Sequence, residues 1–194
     1  MTFSTIRTLT LAATIVAVGF PAYAQNANPG KGRGPGLAVD TTPPSAEEAK
    51  TLAFMREEEK LARDIYRQLA EKWNLTVFRN IAESEEQHFQ AIGRMLTKYN
   101  LPDPALKDAG VYSDAQLTAL YAELMTKGMA SAKDALEVGV LIEKTDIADL
   151  GAAIEAAVKP TLKRLYTNLL AASYNHLEAF ETNLESACPI CPLQ

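Results

Sequence analysis

Histidine and cysteine are scarce in this chain, two of each among 194 residues. Both cysteines fall in "CPIC" at 188–191, too few for a structural zinc site, which needs four ligands. In an exported protein such a pair is expected to be oxidised or bridged to a partner. Its spacing is also that of thiol exchange, but no thioredoxin-like pattern surrounds it, and a loose tail is the simpler account. Apolar–polar alternation is missing, as are hairpin turn signals, so no sheet is expected. Basic residues do not predominate: 19 Lys and Arg face 24 Asp and Glu, a net charge of −5. That balance gives no reason to expect nucleic acid as a partner. Beyond residue 24 no segment is apolar enough to span a membrane.

What is there begins with a leader. Residues 1–24 carry one basic residue, Arg7, then an apolar run at 9–20, then Ala22-Tyr23-Ala24, the small-x-small form that a signal peptidase cuts. The run is short for a bilayer, which takes about 20 residues per span, so an export signal is read in preference to a membrane anchor. No twin-arginine pair is present and no cysteine follows closely, so neither folded-state export nor a lipid anchor is indicated. Cleavage near Ala24 would remove Arg7 and no acid, taking the charge from −5 to −6. The mature form is expected to be periplasmic or secreted, with no membrane contact.

Residues 25–44 ("QNANPGKGRGPGLAVDTTPP") are rich in Gly and Pro and have almost nothing to bury, which describes a flexible linker. Folded structure is expected from Ser45, where Ser45-Ala46-Glu47-Glu48 has capping-box spacing after two prolines. From there to about 185, ahead of a tail at 186–194, the periodicity is helical and forms four seams with steps of three and four. The first is Leu52, Met55, Glu59, Ala62, Tyr66, Leu69 and Trp73; the second is Phe78, Ile81, Glu85, His88, Ile92, Met95 and Tyr99. The third is Met129, Ala132, Leu136, Gly139, Glu143, Asp146 and Leu150. The fourth opens at Pro160 and runs Leu162, Tyr166, Leu169, Ser173, His176, Phe180 and Leu184. Seams two and three are separated by roughly thirty residues, which hold a shorter helix at 114–127 capped by Ser113 and stopped by Gly128. The pattern predicts an all-α four-helix bundle with one long crossover containing a short extra helix.

Every seam turns polar at its middle: Glu59; Glu85 and His88; Glu143 and Asp146; Ser173 and His176. Helices of similar length packed side by side would bring these middles into one layer. An ionised carboxylate in an apolar interior costs several kcal/mol, and several together repel one another. No Lys or Arg occupies a seam, so compensation falls to protons, water or metal ions. Carboxylates with imidazoles suit iron or manganese, with zinc a further option, and Glu-x-x-His projects both side chains from one helical face.

Plainer readings stand beside this one. A single helical histidine is usually a satisfied surface or core residue, but both histidines here fall on stripes that occupy two of seven heptad positions, a chance of roughly one in twelve. The run "EEE" at 57–59 must put one acid near the core, so Glu59 by itself also reads as a solvated residue. Asp146 could instead cap a fresh helix at "DIADL", and Ser173 could be a small packing residue.

"EKLARDIY" at 59–66 resembles the first-helix motif of rubrerythrins in the ferritin-like superfamily, and "EEQH" at 85–88 resembles that superfamily's Glu-x-x-His. The stretch from about 50 to 185, with "IEKTDIADL" and "NLLAASYNHLEAF", is similar to a bacterial ferritin-like family known as domain of unknown function 2202. The resemblance implies a bundle holding two metal ions, with Glu59, Glu85, His88, Glu143 and His176 at ligand positions and Asp146 as an addition. The chain departs from rubrerythrins at Ser173-x-x-His176, where they carry Glu-x-x-His, so one carboxylate is absent unless Asp146 or water replaces it. A lopsided pair or a single metal then becomes an alternative to a di-iron site. Rubrerythrins also carry a four-cysteine iron–sulfur knot, for which this chain has no residues.

Three functions remain open at this point. The first is a non-haem oxidase or peroxidase acting on peroxide or oxygen, with Tyr66 or Tyr166 donating a hydrogen bond or an electron. The second is a protein that binds or sequesters metal without turnover. The third is a metal-free bundle whose outer face meets a partner. The expected partners are metal ions and a small oxidant, with a homodimer as the candidate assembly.

Overall fold

The described residues form five helices: α1 (Ala46–Trp73), α2 (Thr76–Lys98), α3 (Ala115–Gly128), α4 (Ala132–Ala156) and α5 (Pro160–Ala187). They come from a computed structural model that describes residues 42–187. The expected leader, nearly all of the linker and the cysteine pair lie outside the described residues. No strand occurs among the described residues, and none of their helices is long and apolar enough to cross a membrane.

The capping box forms as its spacing requires. The Ser45 hydroxyl accepts the Glu48 N–H at 3.1 Å, and Glu48 Oε2 accepts the Ser45 N–H at 2.9 Å. The other oxygen, Oε1, accepts the N–H groups of Val158 and Lys159 at 2.9 and 2.8 Å. One side chain thus caps α1 and ties its start to the link between α4 and α5. At the far end α1 stops at Asn74, whose φ of 54° is left-handed, a conformation asparagine tolerates. Only Asn74 and Leu75 separate α1 from α2, so these two helices form an antiparallel hairpin. Residues 157–159 join α4 to α5 in the same way.

The relative direction of the hairpins follows from two contacts. Glu48 at the start of α1 meets the end of α4, and Tyr66 further along α1 reaches Gly139 and Glu143 earlier in α4. Hence α1 and α4 are antiparallel, α2 and α4 are parallel, and the chain must travel the length of the bundle between them. Residues 99–131, including α3, make that crossing.

The crossover is fastened to the outer side of α1, which is why residues 55–66 are buried all round. Glu57 accepts the N–H groups of Ser113 and Asp114 at 2.5 and 3.1 Å. Lys60 donates to Asp64 at 2.8 Å and to the carbonyls of Asp108 and Val111 at 2.8 and 3.2 Å. Arg56 forms an ion pair with Asp103 at 2.8 Å. Asp114, not Ser113, caps α3: its Oδ1 accepts the Gln116 N–H at 2.7 Å, while the Ser113 hydroxyl donates to the Pro104 carbonyl. Helix α4 begins past Met129, at Ala132, and is capped by Ser131, whose hydroxyl accepts the Asp134 N–H. It then runs unbroken through residue 146, so Asp146 caps nothing.

The apolar core falls into two clusters. One gathers Ile65, Leu69, Phe78, Ile81, Leu136 and Phe180, with Leu117 and Leu124 of α3 packed against it. The other gathers Leu52, Met55, Ile92, Leu150, Leu162 and Tyr166. On every long helix the residues between those clusters are the polar ones. Each large aliphatic side chain buried there contributes about 1.5–3 kcal/mol, and this apolar burial is what offsets the cost of the polar layer.

Candidate metal centre

The layer assembles because each long helix places its polar turn at the same height between the two clusters. Helix α1 supplies Glu59, α2 supplies Glu85 and His88, α4 supplies Glu143 and Asp146, and α5 supplies Ser173 and His176. All seven are buried; Glu59 and Glu85 are each 2% exposed. Glu85 is the hub. Its Oε2 lies 2.8 Å from His88 Nδ1 and its Oε1 lies 2.8 Å from His176 Nδ1. His88 Nδ1 is also 3.2 Å from Glu59 Oε2, and His176 Nδ1 is 3.5 Å from Glu143 Oε2. The two rings stack, with centroids 5.5 Å apart.

Two groups of ligand atoms result: Glu59, Glu85 and His88, and Glu85, Glu143 and His176, each with its atoms within 4.8 Å of one another. A carboxylate common to both is the arrangement that can bridge two ions. Several buried atoms of these residues have no hydrogen-bond partner. Glu59 Oε1 and Asp146 Oδ1 accept no hydrogen bond, and His176 Nδ1, though close to two carboxylates, is aligned with neither. The donor set of oxygen and imidazole nitrogen fits iron, manganese or zinc.

Electrostatics show how the layer balances its charge through protons. Burial pushes Glu59 well above the ordinary carboxylate range, with Asp146 adding to the rise and His88 opposing it. Burial likewise takes Glu143 up to about 7 and Asp146 up to about 8. Glu85 goes the other way: burial would raise it, but His176 and His88 outweigh that and hold it at about 2. Burial lowers both imidazoles, yet their carboxylate neighbours raise His88 to about 11 and His176 to about 9. These shifts favour an ionised Glu85 beside two protonated imidazoles, and a cation held by the same atoms would have to displace those protons.

Two contacts orient the set. Tyr66 donates to Glu143 Oε1 at 2.6 Å, and Ser173 donates to Asp146 Oδ2 at 2.5 Å. Position 173 therefore carries no carboxylate, but the hydroxyl there holds one that α4 supplies. Tyr166 is not brought to the layer. It sits in the cluster of Leu52 and Ile92, its hydroxyl buried without a partner, and burial together with the charge of Glu48 raises its pKa.

Sequence reasoning did not single out Ser84 or Glu58. Ser84 Oγ lies 2.9 Å from His176 Nε2 and so turns Nδ1 inward; its place just before Glu85 was the available signal. Glu58 is buried beside Asp146 and Asp149, in a run of acids that gave no indication which would be enclosed.

Residues 48–190 match the family described as Uncharacterized protein domain (DUF2202). An uncharacterized protein of Methanocaldococcus jannaschii, MJ0754, is 49% identical over 139 residues, which cover 71% of this chain and 75% of that protein. The crystal structure of that hypothetical protein, given under the name Methanococcus jannaschii, superposes with a TM-score of 0.75 at 45% identity and covers 78% of this chain and 87% of that one. A DUF305 fragment from Deinococcus radiodurans superposes with a TM-score of 0.59 at 17% identity, over 75% of this chain and 99% of the fragment, a likeness of fold alone. The chain is a member of the DUF2202 family.

Proposed function

We propose that this protein is a ferritin-like metal-binding protein whose buried layer holds one or two ions, iron foremost, and that it reduces peroxide or oxygen there. The observation that carries this reading is the pair of three-residue ligand groups sharing Glu85. The fold supports it as well. Ferritin-like bundles have one long crossover and draw a Glu from each of two helices and a Glu-x-x-His from each of the others. Here Glu59 and Glu143 are the single acids, Glu85 and His88 one pair, and Ser173 and His176 the altered pair.

Iron bound in the layer would supply the electrons for reducing the oxidant. The chain's own residues do the rest. Glu85 sits where it can face two ions, Glu59 with His88 and Glu143 with His176 flank it, and the two apolar clusters keep bulk water out. Tyr66 fixes the orientation of Glu143 and keeps a proton at its hydroxyl, because burial and the Glu143 charge push its ionisation well up. On the leader reading of residues 1–24, this chemistry would take place outside the cytoplasm.

Ser173 favours a second reading, metal binding without turnover, because a lopsided ligand set lacks one bridging acid. Metal analysis of the purified protein and of His88→Ala, followed by anaerobic iron loading and peroxide addition, separates the readings. Bound metal in the parent but not the variant, with peroxide consumed, supports the oxidoreductase. Bound metal with no peroxide loss supports sequestration, and equal metal in parent and variant refutes the centre.

A further inference from the structure

The two ligand groups that share Glu85 are not held alike. In the group of Glu85, Glu143 and His176, each unshared ligand is fastened from behind. Tyr66 donates to Glu143 Oε1 at 2.6 Å, while Oε2 lies 3.5 Å from His176 Nδ1. Ser84 Oγ lies 2.9 Å from His176 Nε2. Ser84 stands one residue before Glu85, so the turn of α2 that supplies the shared carboxylate also supplies this hydroxyl. An imidazole that offers its Nδ1 lone pair to an ion carries its proton on Nε2, and the Ser84 oxygen is placed to accept it. His176 is 8% exposed, and its Nδ1 has no aligned hydrogen-bond partner although Glu85 and Glu143 are both near. The group of Glu59, Glu85 and His88 lacks these holds. Among the described residues, His88 meets carboxylates through Nδ1 alone and hydrogen-bonds Glu59 Oε2 at 3.2 Å. Glu59 Oε1 accepts no hydrogen bond. An ion bound here must break the bond between two of its own ligands and then order both side chains. In the other group the inward nitrogen has no such bond to break, and ligands whose geometry is fixed beforehand lose less freedom on binding.

We propose that Glu143 and His176, held by Tyr66 and Ser84, form with Glu85 the tighter half of the layer, which takes its ion first, and that the half with Glu59 and His88 fills second. Ser84 and Tyr66 are then positioning residues, acting through His176 and Glu143. The inference rests on the buried layer being a metal centre.

The chain has two histidines, one in each half, so nitrogen-15 histidine NMR of the whole chain reads the halves separately. Zn²⁺ is the probe, because it is diamagnetic and accepts both carboxylate and imidazole. His88→Gln assigns the two sets of ring signals. In the parent, the His176 Nδ1 signal should move with the first equivalent, and that of His88 only with the second, or not at all where one ion binds. Ser84→Ala and Tyr66→Phe should each weaken uptake at His176 by about tenfold or more, the loss typical of removing a hydrogen bond behind a metal ligand. Ser84→Thr keeps the hydroxyl and should restore it. His88 signals that move first, or in step with those of His176, would overturn the order. A Ser84→Ala or Tyr66→Phe protein that fills like the parent would overturn that residue's role, and so would equal weakening at both histidines, the mark of a general loss of structure. Rings left unchanged by excess Zn²⁺ would refute the centre itself, a result distinct from a reversed or simultaneous order.

Discussion

Replacing Glu85 by alanine removes the one side chain that both ligand groups share. In the metal-free protein it also removes the carboxylate 2.8 Å from each imidazole Nδ1. Breaking a buried pair by deleting one partner costs about 3–5 kcal/mol. Glu59 and Glu143 remain near the two rings, so the lower end, about 3 kcal/mol, is expected. At about 2–4 °C per kcal/mol for a chain of this size, the melting temperature should fall by about 6–12 °C. Metal provides the second, more specific readout. An ion present at 100 times its Kd stabilises the folded state by about 2.7 kcal/mol. Parent protein should therefore melt about 5–11 °C higher when Mn²⁺ is added. In the variant that rise should be much smaller, because each group in the layer keeps only two of its three ligands. Scanning calorimetry with and without Mn²⁺ measures both effects. An equal metal-induced rise in parent and variant would refute the assignment of Glu85 as the shared ligand.

Three further outcomes follow from the packing. A Cβ on Gly139 would lie 2.7 Å from the Phe180 ring, itself wedged against Tyr66 and Phe78 at 5.1 and 5.2 Å. Gly139→Ala should lose about 1–3 kcal/mol to overpacking against about 1 kcal/mol of helix propensity gained; chemical denaturation showing a net gain would mean the ring yields freely. Ser173→Glu alone adds an acid beside Asp146 and should lower the metal-free melting temperature, whereas pairing it with Asp146→Ser moves the carboxylate to α5 and should restore metal stoichiometry; failure of the pair would place Asp146 outside the ligand set. Hydrogen bonds from Lys159, Ser45 and Val158 outweigh burial and lower the Glu48 carboxyl below its ordinary value of 4.5. A lowered folded-state pKa gives stability that is present above 4.5 and lost as pH falls through the lowered value. Glu48→Gln should be destabilising at neutral pH, and the gap should close in acid; a constant gap in pH-dependent denaturation would contradict this linkage.

The polar layer was legible in the sequence because side-chain direction on a helix is periodic: seven residues at steps of three and four had to face the core wherever their neighbours did. Height along the bundle was less legible. Tyr66 and Tyr166 each lie seven residues from a layer residue, Glu59 and Ser173, and only Tyr66 reaches the layer. Helical side chains lean toward the N-terminus. Tyr66 follows Glu59 and leans back to it, whereas Tyr166 precedes Ser173 and leans away. The buried charges of α1 were illegible for another reason. Glu57, Lys60 and Asp64 look like a solvated face until the crossover lies over them. The α3 cap turned on the same contact, because the Ser113 hydroxyl was committed to Pro104 and left the cap to Asp114.

The most direct test is a diffraction measurement on crystals of the protein loaded with iron or manganese, with anomalous differences collected at the metal edge. Peaks between Glu59, Glu85 and His88, or between Glu85, Glu143 and His176, are the expected result. Metal-saturated crystals whose only peaks lie outside the layer, with Glu85 still clasped between the two imidazoles, would contradict it.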